Sequence, residues 1–388
     1  MVKKFVFGLS LGILGLSLLG IGYFIGHLDR ATSGSENHGY PLLEEAQNLI
    51  TDNYFGEIPE LLVLQRGMIH GMIAKLGDQF TTYVEPVANE LQADDLMGRF
   101  GGIGAHLTRD DDGFIHVVAY PDGPAAEANI REEFLLIGVD GVSITPATSF
   151  DEIVSMIRGD IGTSVTLTFQ IVEPAELRDI TLTRVEFDIP SVTSYQLPSN
   201  EQIGVIIIHR FSDRTTEEVK EAYDRLVIDG IGGLLIDLRA NTGGILDAAI
   251  EVAKFFLDNG IILIQAERDG EVEEYTVSRP GDGFDIPLVV LIDSGTASAS
   301  EVLAAALGEN DRAQLVGEQS YGKGSVQSVI SLSDGSSLHI TIARWLTPSQ
   351  SSIDGVGLIP DVPVQRSNSE QDEILDVGVS LVLDLIKE

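Results

Sequence analysis

The sequence predicts an α/β protein with a second, β-rich domain and an apolar N-terminal segment. Three observations carry this. Continuous apolar runs of strand length at 203–208, 233–238 and 289–293 each precede a segment of helical period, at 215–228, 246–257 and 300–307. Strands alternating with helices build a sheet with helices packed on it. Between about 94 and 172 the pattern turns to short strands, glycine turns and one amphipathic helix, and residues 5–28 form one apolar run.

The 388 residues suffice for two or three domains with cores of their own. Against 60 acidic side chains stand 24 basic ones, a formal charge of −36. Such a field repels phosphate backbones and argues against a nucleic-acid partner; its plain reading is solubility. The absence of cysteine excludes disulfides, thiol catalysis, zinc–thiolate sites and lipid anchoring through cysteine. The seven histidines are scattered, with no H-x-x-x-H pair, so neither a metal nor another cofactor is expected. No G-x-S-x-G elbow is present, although counting alone does not exclude a Ser-His-Asp triad.

In chain order, Lys3 and Lys4 precede the apolar run 5–28. Its length fits a membrane-spanning helix, and the lysines place the N-terminus in the cytoplasm and the remainder outside. The competing reading is a cleaved signal peptide, which needs a shorter core and a small-residue cleavage site. His27, Leu28, Asp29 and Arg30 offer no such site. The expectation is an uncleaved single-pass anchor at the cell membrane over 1–30, followed by a polar linker over 31–40. Leu42, Leu43, Ala46, Leu49 and Ile50, then Leu61, Leu64, Met68 and Met72, follow helical spacing and predict helices within 41–93.

Residues 100–107 read as a glycine turn entering a strand, 115–119 as a second strand, 150–157 as an amphipathic helix and 165–172 as a strand. An extended connection over 179–198 leads into the α/β part. There the 237–244 segment, Asp-Leu-Arg-Ala-Asn-Thr-Gly-Gly, joins a strand to a helix. Asp237 and Arg239 are expected to form a structural ion pair, and Ser212 and Asp213 offer caps for the helix at 215–228. The Asp334-Gly335 turn predicts a hairpin, Trp345 reads as core, and 370–387 is an amphipathic helix. Whether that helix packs on its own core or against a second copy in a homo-oligomer is left open.

The stretch 289–327 holds the residues that can do chemistry together. Ser298 sits where a strand turns into a helix, and Lys323 follows it by 25 positions in a glycine-rich turn. A serine needs an adjacent base, and a lysine serves when burial removes its charge. The same residues have plainer readings. Ser298 with Glu301 is a capping box, and most lysines are solvated. Residues 317–324 also fall one residue short of a phosphate-binding loop, with Gly324 where Ser or Thr would hold magnesium. Spacing alone does not choose.

The runs T-A-S-A-S-E at 296–301 and Y-G-K-G-S-V-Q at 321–327, so spaced, resemble the carboxy-terminal processing peptidases, or tail-specific proteases. The resemblance extends over about 41–388, through the D-L-R-x-N-x-G-G segment, A-R-W-L-T-P-S and G-V-G-L-I-P-D-V-P-V. It implies a crotonase-like α/β protease core, with Ser298 as nucleophile, Lys323 as general base and Gln327 orienting the lysine. Ala299 and one of Gly243 or Gly244 would supply oxyanion N–H groups. It implies an inserted PDZ domain whose loop Gly101, Gly102, Ile103 and Gly104 takes a peptide carboxylate, and gives Arg158 a regulatory role. A helix-capping surface arginine is an equal reading of Arg158. The implied boundaries are 41–93 for the N-terminal helical region, 94–172 for the PDZ domain, 173–366 for the protease core and 367–388 for the C-terminal helix. The implied substrates are proteins with unstructured, apolar C-termini, cleaved outside the cytoplasm.

The chain departs from the family at three places. Gly77-Asp78 stands for a usual Asp-Pro, with no catalytic meaning evident in the sequence. Thr242 stands for a usual proline. Residues 129–134, Asn-Ile-Arg-Glu-Glu-Phe, replace a glycine turn, so the fold should survive while ligand affinity of the PDZ domain is in doubt. The alternative function is a membrane-tethered PDZ peptide-binding protein with an inactive protease fold.

Overall fold

The computed structural model describes residues 40–110, 112–121, 123–171, 176–365 and 371–387. The expected membrane-spanning run at 5–28 lies outside them. Among the described residues no helix is long and apolar enough to cross a membrane. The chain falls into two units, Met1–Met68 and Ile69–Glu388. The described part of the first carries α1 (Pro41–Asn53) and the start of α2 (Leu61–Ile73). Both expected helices form, and neither buries a residue.

The second unit opens with β1 (Thr82–Val84), α3 (Pro86–Met97) and β2 (Arg99–Gly102). The smaller domain follows: β3 (Ala105–Arg109), β4 (Ile115–Ala119), α4 (Pro124–Glu127), β5 (Leu135–Val139), β6 (Val142–Ser143), α5 (Phe150–Ile157), β7 (Ser164–Ile171) and β8 (Glu176–Thr183). Its sheet runs β3-β4-β5-β7-β8, antiparallel throughout, with β6 on β5. The core is Ile115, Val117, Leu136, Val165, Leu167 and Phe169, covered by Ile153 and Ile157 of α5. The substituted 129–134 turn keeps this core. Asn129 takes φ 57°, which asparagine tolerates, Ile130 and Phe134 are buried, and Arg131 and Glu133 pair at the surface. On leaving the domain, β9 (Val185–Asp188) pairs antiparallel with β2. Entry and exit are thus hydrogen-bonded to each other, as an insertion requires.

The larger domain comprises β10 (Val192–Leu197), β11 (Asn200–Ile208), α6 (Thr215–Ile228), β12 (Gly233–Asp237), α7 (Leu246–Phe256), β13 (Gly260–Glu267), β14 (Val272–Val277), β15 (Leu288–Ile292), α8 (Ala299–Glu309), β16 (Gln314–Gly317), β17 (Ser325–Ser331), β18 (Ser337–Leu346), β19 (Val362–Pro363) and α9 (Glu373–Lys387). Its main sheet runs β10-β11-β12-β15-β16-β19, parallel from β11 onward. A sheet covered on both faces needs strands apolar at every position. Leu234 and Ile236 of β12 accordingly join the core under α6, α7 and α8, while Leu235 joins the core under α9. Ile374 and Val382 complete that second core, so α9 packs on its own domain. A second sheet, β1-β18-β13-β14 with β17 also on β18, carries the predicted hairpin through Asp334-Gly335.

One local reading changes and one holds. Arg214, not Ser212 or Asp213, occupies the cap position of α6, because Thr215 Oγ1 accepts the Ser212 N–H and closes a turn ahead of the helix. Asp237 and Arg239 do pair, at 2.6 Å, and Arg239 also meets Asp372 at 2.6 Å.

Candidate active site

Ligands of parallel α/β sheets bind beyond the carboxyl ends of the strands, and here four successive strands end at one cleft. His209, Arg210 and Phe211 follow β11, Thr242 to Ile245 lie on the turn after β12, Leu246 opens α7, Ser298 follows β15, and Lys323 follows β16; all line a cleft of about 640 Å³. Gln327, Val329, His339 and Trp345 line it from the second sheet. Such a volume is of the size that takes a ligand or peptide side chains.

The turn after β12 and the turn after β15 are laced together. Asp293 Oδ1 accepts the N–H of Ala240 at 2.8 Å, Thr296 Oγ1 donates to the Leu238 carbonyl at 2.9 Å, and Ser300 Oγ donates to the Asn241 carbonyl at 3.0 Å. Ser298 is held at φ 57°, ψ −121°, a region a side-chain-bearing residue enters only under constraint, at a cost of about 1–3 kcal/mol. Strain of this kind lifts a nucleophile clear of its strand.

The constraint is Glu301. Its side chain is fully buried and its carboxylate accepts from four donors: Ser298 N–H at 2.8 Å, Lys323 N–H at 2.9 Å, Gly322 N–H at 2.7 Å and Ser320 Oγ at 2.5 Å. The carboxylate half of the capping box is therefore made, and the same group also pins the lysine turn to the serine turn. It fills the backbone N–H groups that a phosphate would need, and Lys323 is followed by β17 rather than a helix. Both points remove the nucleotide-loop reading.

Lys323 is half-buried. Burial pushes its pKa below the ordinary lysine value, against a smaller upward pull from Glu301. Its Nζ donates to Gln327 Oε1 at 2.7 Å, and Trp345 Nε1–H donates to the Lys323 carbonyl at 3.1 Å. Trp345 is core, as expected, and also holds the lysine's backbone. His339 lies in the same cleft; burial, then the charge of Lys323, lowers its pKa, and its buried Nε2 has no hydrogen-bond partner among the described residues.

Gly243 and Gly244 have φ of 103° and 139°, and a Cβ on Gly243 would stand 2.8 Å from the Ser298 Cβ. Glycine here lets the backbone close on Ser298. The two are not equivalent. The Gly243 N–H donates to Asn241 Oδ1 at 2.9 Å, whereas no such bond engages the Gly244 N–H among the described residues. Ala299 opens α8 beside Ser298 and lines the cleft.

In the smaller domain, Gly101 and Gly102 lie in β2, paired with β9, and Ile103 and Gly104 lead into β3. Ile103 is buried, and Gly104 takes φ 70°. The outer edge of β3 carries no strand among the described residues. Arg158 follows α5, with its guanidinium 3.3 Å from Asp94 of α3 and 4.0 Å from the Phe100 ring centroid. Its backbone N–H caps the helix by donating to the Val154 carbonyl at 2.9 Å, as the capping reading has it, but its guanidinium does not. The Arg184 side chain adds to the cap, donating to the carbonyls of Met156 and Ile157 at 3.0 and 2.8 Å. The only cluster with metal-ligand spacing among the described residues is Glu267, Asp269 and Glu271, exposed on the β13–β14 turn.

A model of peptidase family S41 matches residues 202–364, and a PDZ-domain model matches 117–171. The carboxy-terminal-processing protease of Bartonella bacilliformis is 31% identical over 385 residues, covering 97% of this chain and 86% of that protein. The chain belongs to peptidase family S41. The chloroplastic carboxyl-terminal-processing peptidase 2 of Arabidopsis thaliana is 36% identical over 318 residues, covering 79% of this chain; the chain spans 61% of that relative's length. Among solved structures, the photosystem II D1 C-terminal processing protease is 28% identical, covers 93% of this chain with 95% of its own, and has a TM-score of 0.49.

Four residues that line or support this S41 peptidase's cleft were not singled out for it by the sequence. Glu301 had a sequence signal, but that signal read only as a helix cap. Asn241 lies in the quoted 237–244 segment, but nothing there marked its side chain as the acceptor for Gly243. His339 and Phe80, whose carbonyl accepts from Gln327 Nε2 at 2.5 Å, had no signal, since each reaches the site through a long-range fold contact.

Proposed function

We propose that this S41 peptidase is a serine endopeptidase that cleaves proteins at or near flexible, apolar C-terminal tails through a Ser298–Lys323 dyad. Neutral Lys323 takes the Ser298 hydroxyl proton as Oγ attacks the peptide carbonyl. The N–H groups of Ala299 and Gly244 hold the oxyanion, with Gly243 N–H occupied by Asn241. Lys323 returns the proton to the leaving amine, and water then cleaves the acyl ester. Gln327 holds Lys323 through the 2.7 Å contact at Oε1. The observation that carries this reading is Glu301, one buried carboxylate bonded to the backbone N–H of both nucleophile and base.

In this reading the core is crotonase-like, and the PDZ domain adds the substrate's C-terminus as a strand to the open edge of β3, beside the loop 101–104. Arg158, tied to Asp94, couples that groove to α3, whose Asp95 and Leu96 line the catalytic cleft. The N-terminal run would anchor the enzyme in the membrane with its catalytic part outside the cytoplasm, and self-association is compatible with it.

The test incubates the full chain, Ser298→Ala and Lys323→Ala with an unfolded protein ending in an apolar tail, and reads fragments by mass spectrometry. Cleavage by the wild type alone, indifferent to chelator, is expected. A second reading has one observation in its favour: His339 lies in the cleft with a lowered pKa and an Nε2 that has no partner among the described residues. Cleavage that survives Lys323→Ala and stops in His339→Ala would make histidine the base. No cleavage with tight tail binding retained would make the chain a tethered binding protein.

A further inference from the structure

We infer that the loop 78–81 belongs to the catalytic apparatus: Asp78, Phe80 and Thr81 are positioning residues that orient Gln327 and keep water from Lys323. This rests on Lys323 as the general base. The loop precedes the PDZ domain and lies outside the residues that match the S41 model.

Its shape is set by one carboxylate. Asp78 accepts from the N–H of Phe80 at 3.0 Å, the N–H of Thr81 at 3.1 Å and the Thr81 hydroxyl at 2.5 Å. An aspartate bonding backbone N–H groups two and three residues on closes a tight turn. Burial alone would raise the Asp78 pKa, but these bonds, led by that of the Thr81 hydroxyl, leave it below the ordinary value, so the group is ionised. The turn is pinned to the second sheet. Thr81 is buried, and its Oγ1 accepts the N–H of Thr341 at 3.1 Å. Thr341 is the β18 residue paired with Gln327 of β17.

What the loop presents to the site is Phe80. Its carbonyl accepts from Gln327 Nε2 at 2.5 Å, while Gln327 Oε1 accepts from Lys323 Nζ at 2.7 Å. A side-chain amide has one donor end and one acceptor end. With the donor end fixed on Phe80, the acceptor end must face the lysine. The Phe80 ring also stands 5.6 Å from Lys323 Nζ, apolar cover on a group whose neutral form depends on exclusion of water. The titratable groups around Lys323 are Glu301 of α8 and His339 of β18, with His209, Arg210 and Asp95 on the same cleft. None of them lies on the loop, so its effect on the lysine acts through shielding and Gln327.

The test measures kcat, KM and the pH profile of kcat/KM for the full chain on a quenched peptide with an apolar C-terminus. Asp78→Ala should lower kcat about tenfold to a hundredfold with KM little changed. It should also move the acid limb of the profile to higher pH, as water reaches Lys323 and its pKa climbs toward the ordinary value. Thr81→Val should move both in the same direction, and Thr81→Ser should recover most of the loss. Phe80→Leu keeps the carbonyl, so it should shift the acid limb with a smaller loss of kcat. A loop with a merely structural role would reduce the folded fraction and leave the acid limb where it is, which overturns the inference. If Asp78→Ala does not fold, Thr81→Val and Phe80→Leu decide it in the same way. With Lys323→Ala inactive, an unmoved acid limb rejects the loop alone; an active Lys323→Ala rejects the loop and the Ser–Lys reading together.

Discussion

At the scale of single residues, the site turns on two ionisable groups, one fully buried and one half-buried, with opposite demands. Glu301 is a fully buried carboxylate held by four donors, and losing its charge leaves those donors competing for fewer lone pairs. Glu301→Gln is expected to cost about 2–3 kcal/mol in denaturant unfolding and to depress kcat by more than that loss of folded enzyme explains. Lys323 is the reverse case, a cation whose burial is unfavourable and whose pKa is lowered. Between that lowered value and the ordinary lysine value, the unfolded chain binds a proton that the folded chain does not. Stability therefore rises with pH across that window and is at its lowest below it. Lys323→Met should abolish cleavage, raise stability at neutral pH and flatten that rise, all readable from urea melts at several pH values. A variant equal to or less stable than wild type at neutral pH would mean that the lysine is not desolvated.

At the scale of elements, the carboxyl ends of β11, β12, β15 and β16 bring residues from four separate segments to one cleft. Their positions depend on a sheet buried on both sides, so α9, far along the chain from Ser298, matters to the cleft. Ile374 is fully buried against the face formed by Leu235, Leu291 and Val316. Ile374→Ala should cost about 2–5 kcal/mol, lowering the urea midpoint while kcat per folded molecule stays near wild type. Had α9 instead served as an interface between copies, the same substitution would change the dissociation of an oligomer and leave monomer stability alone.

At the scale of the whole molecule, the inserted domain joins the core through the β2–β9 pair and the Arg158–Asp94 contact. Both side chains of that pair are mostly covered, with exposures of 21% and 17%, so it is screened less than a surface bridge. If it carries tail occupancy to the cleft, the wild-type enzyme should cleave a substrate with a free C-terminal carboxylate and its amidated form at different rates. Arg158→Ala should bring the ratio of those rates toward one. An unchanged ratio would reduce Arg158 to a brace between domains.

The sequence by itself determined the elements and the list of candidates. Apolar runs and helical periods mark β12, β15, α7 and α8 because a doubly covered strand must be apolar throughout, and that requirement is local. The motif at 296–301 with its lysine 25 residues on marks the family. Tertiary structure decided which reading of Glu301 mattered, since a helix cap and a brace between two turns share one local pattern and differ only in what folds against them. It separated Gly243 from Gly244 through the Asn241 side chain, made α9 part of its own core, and brought Phe80 to Gln327 across 247 positions of chain. A contact at that last separation leaves no period or spacing in a single sequence; it exists only once the sheets have set the distances.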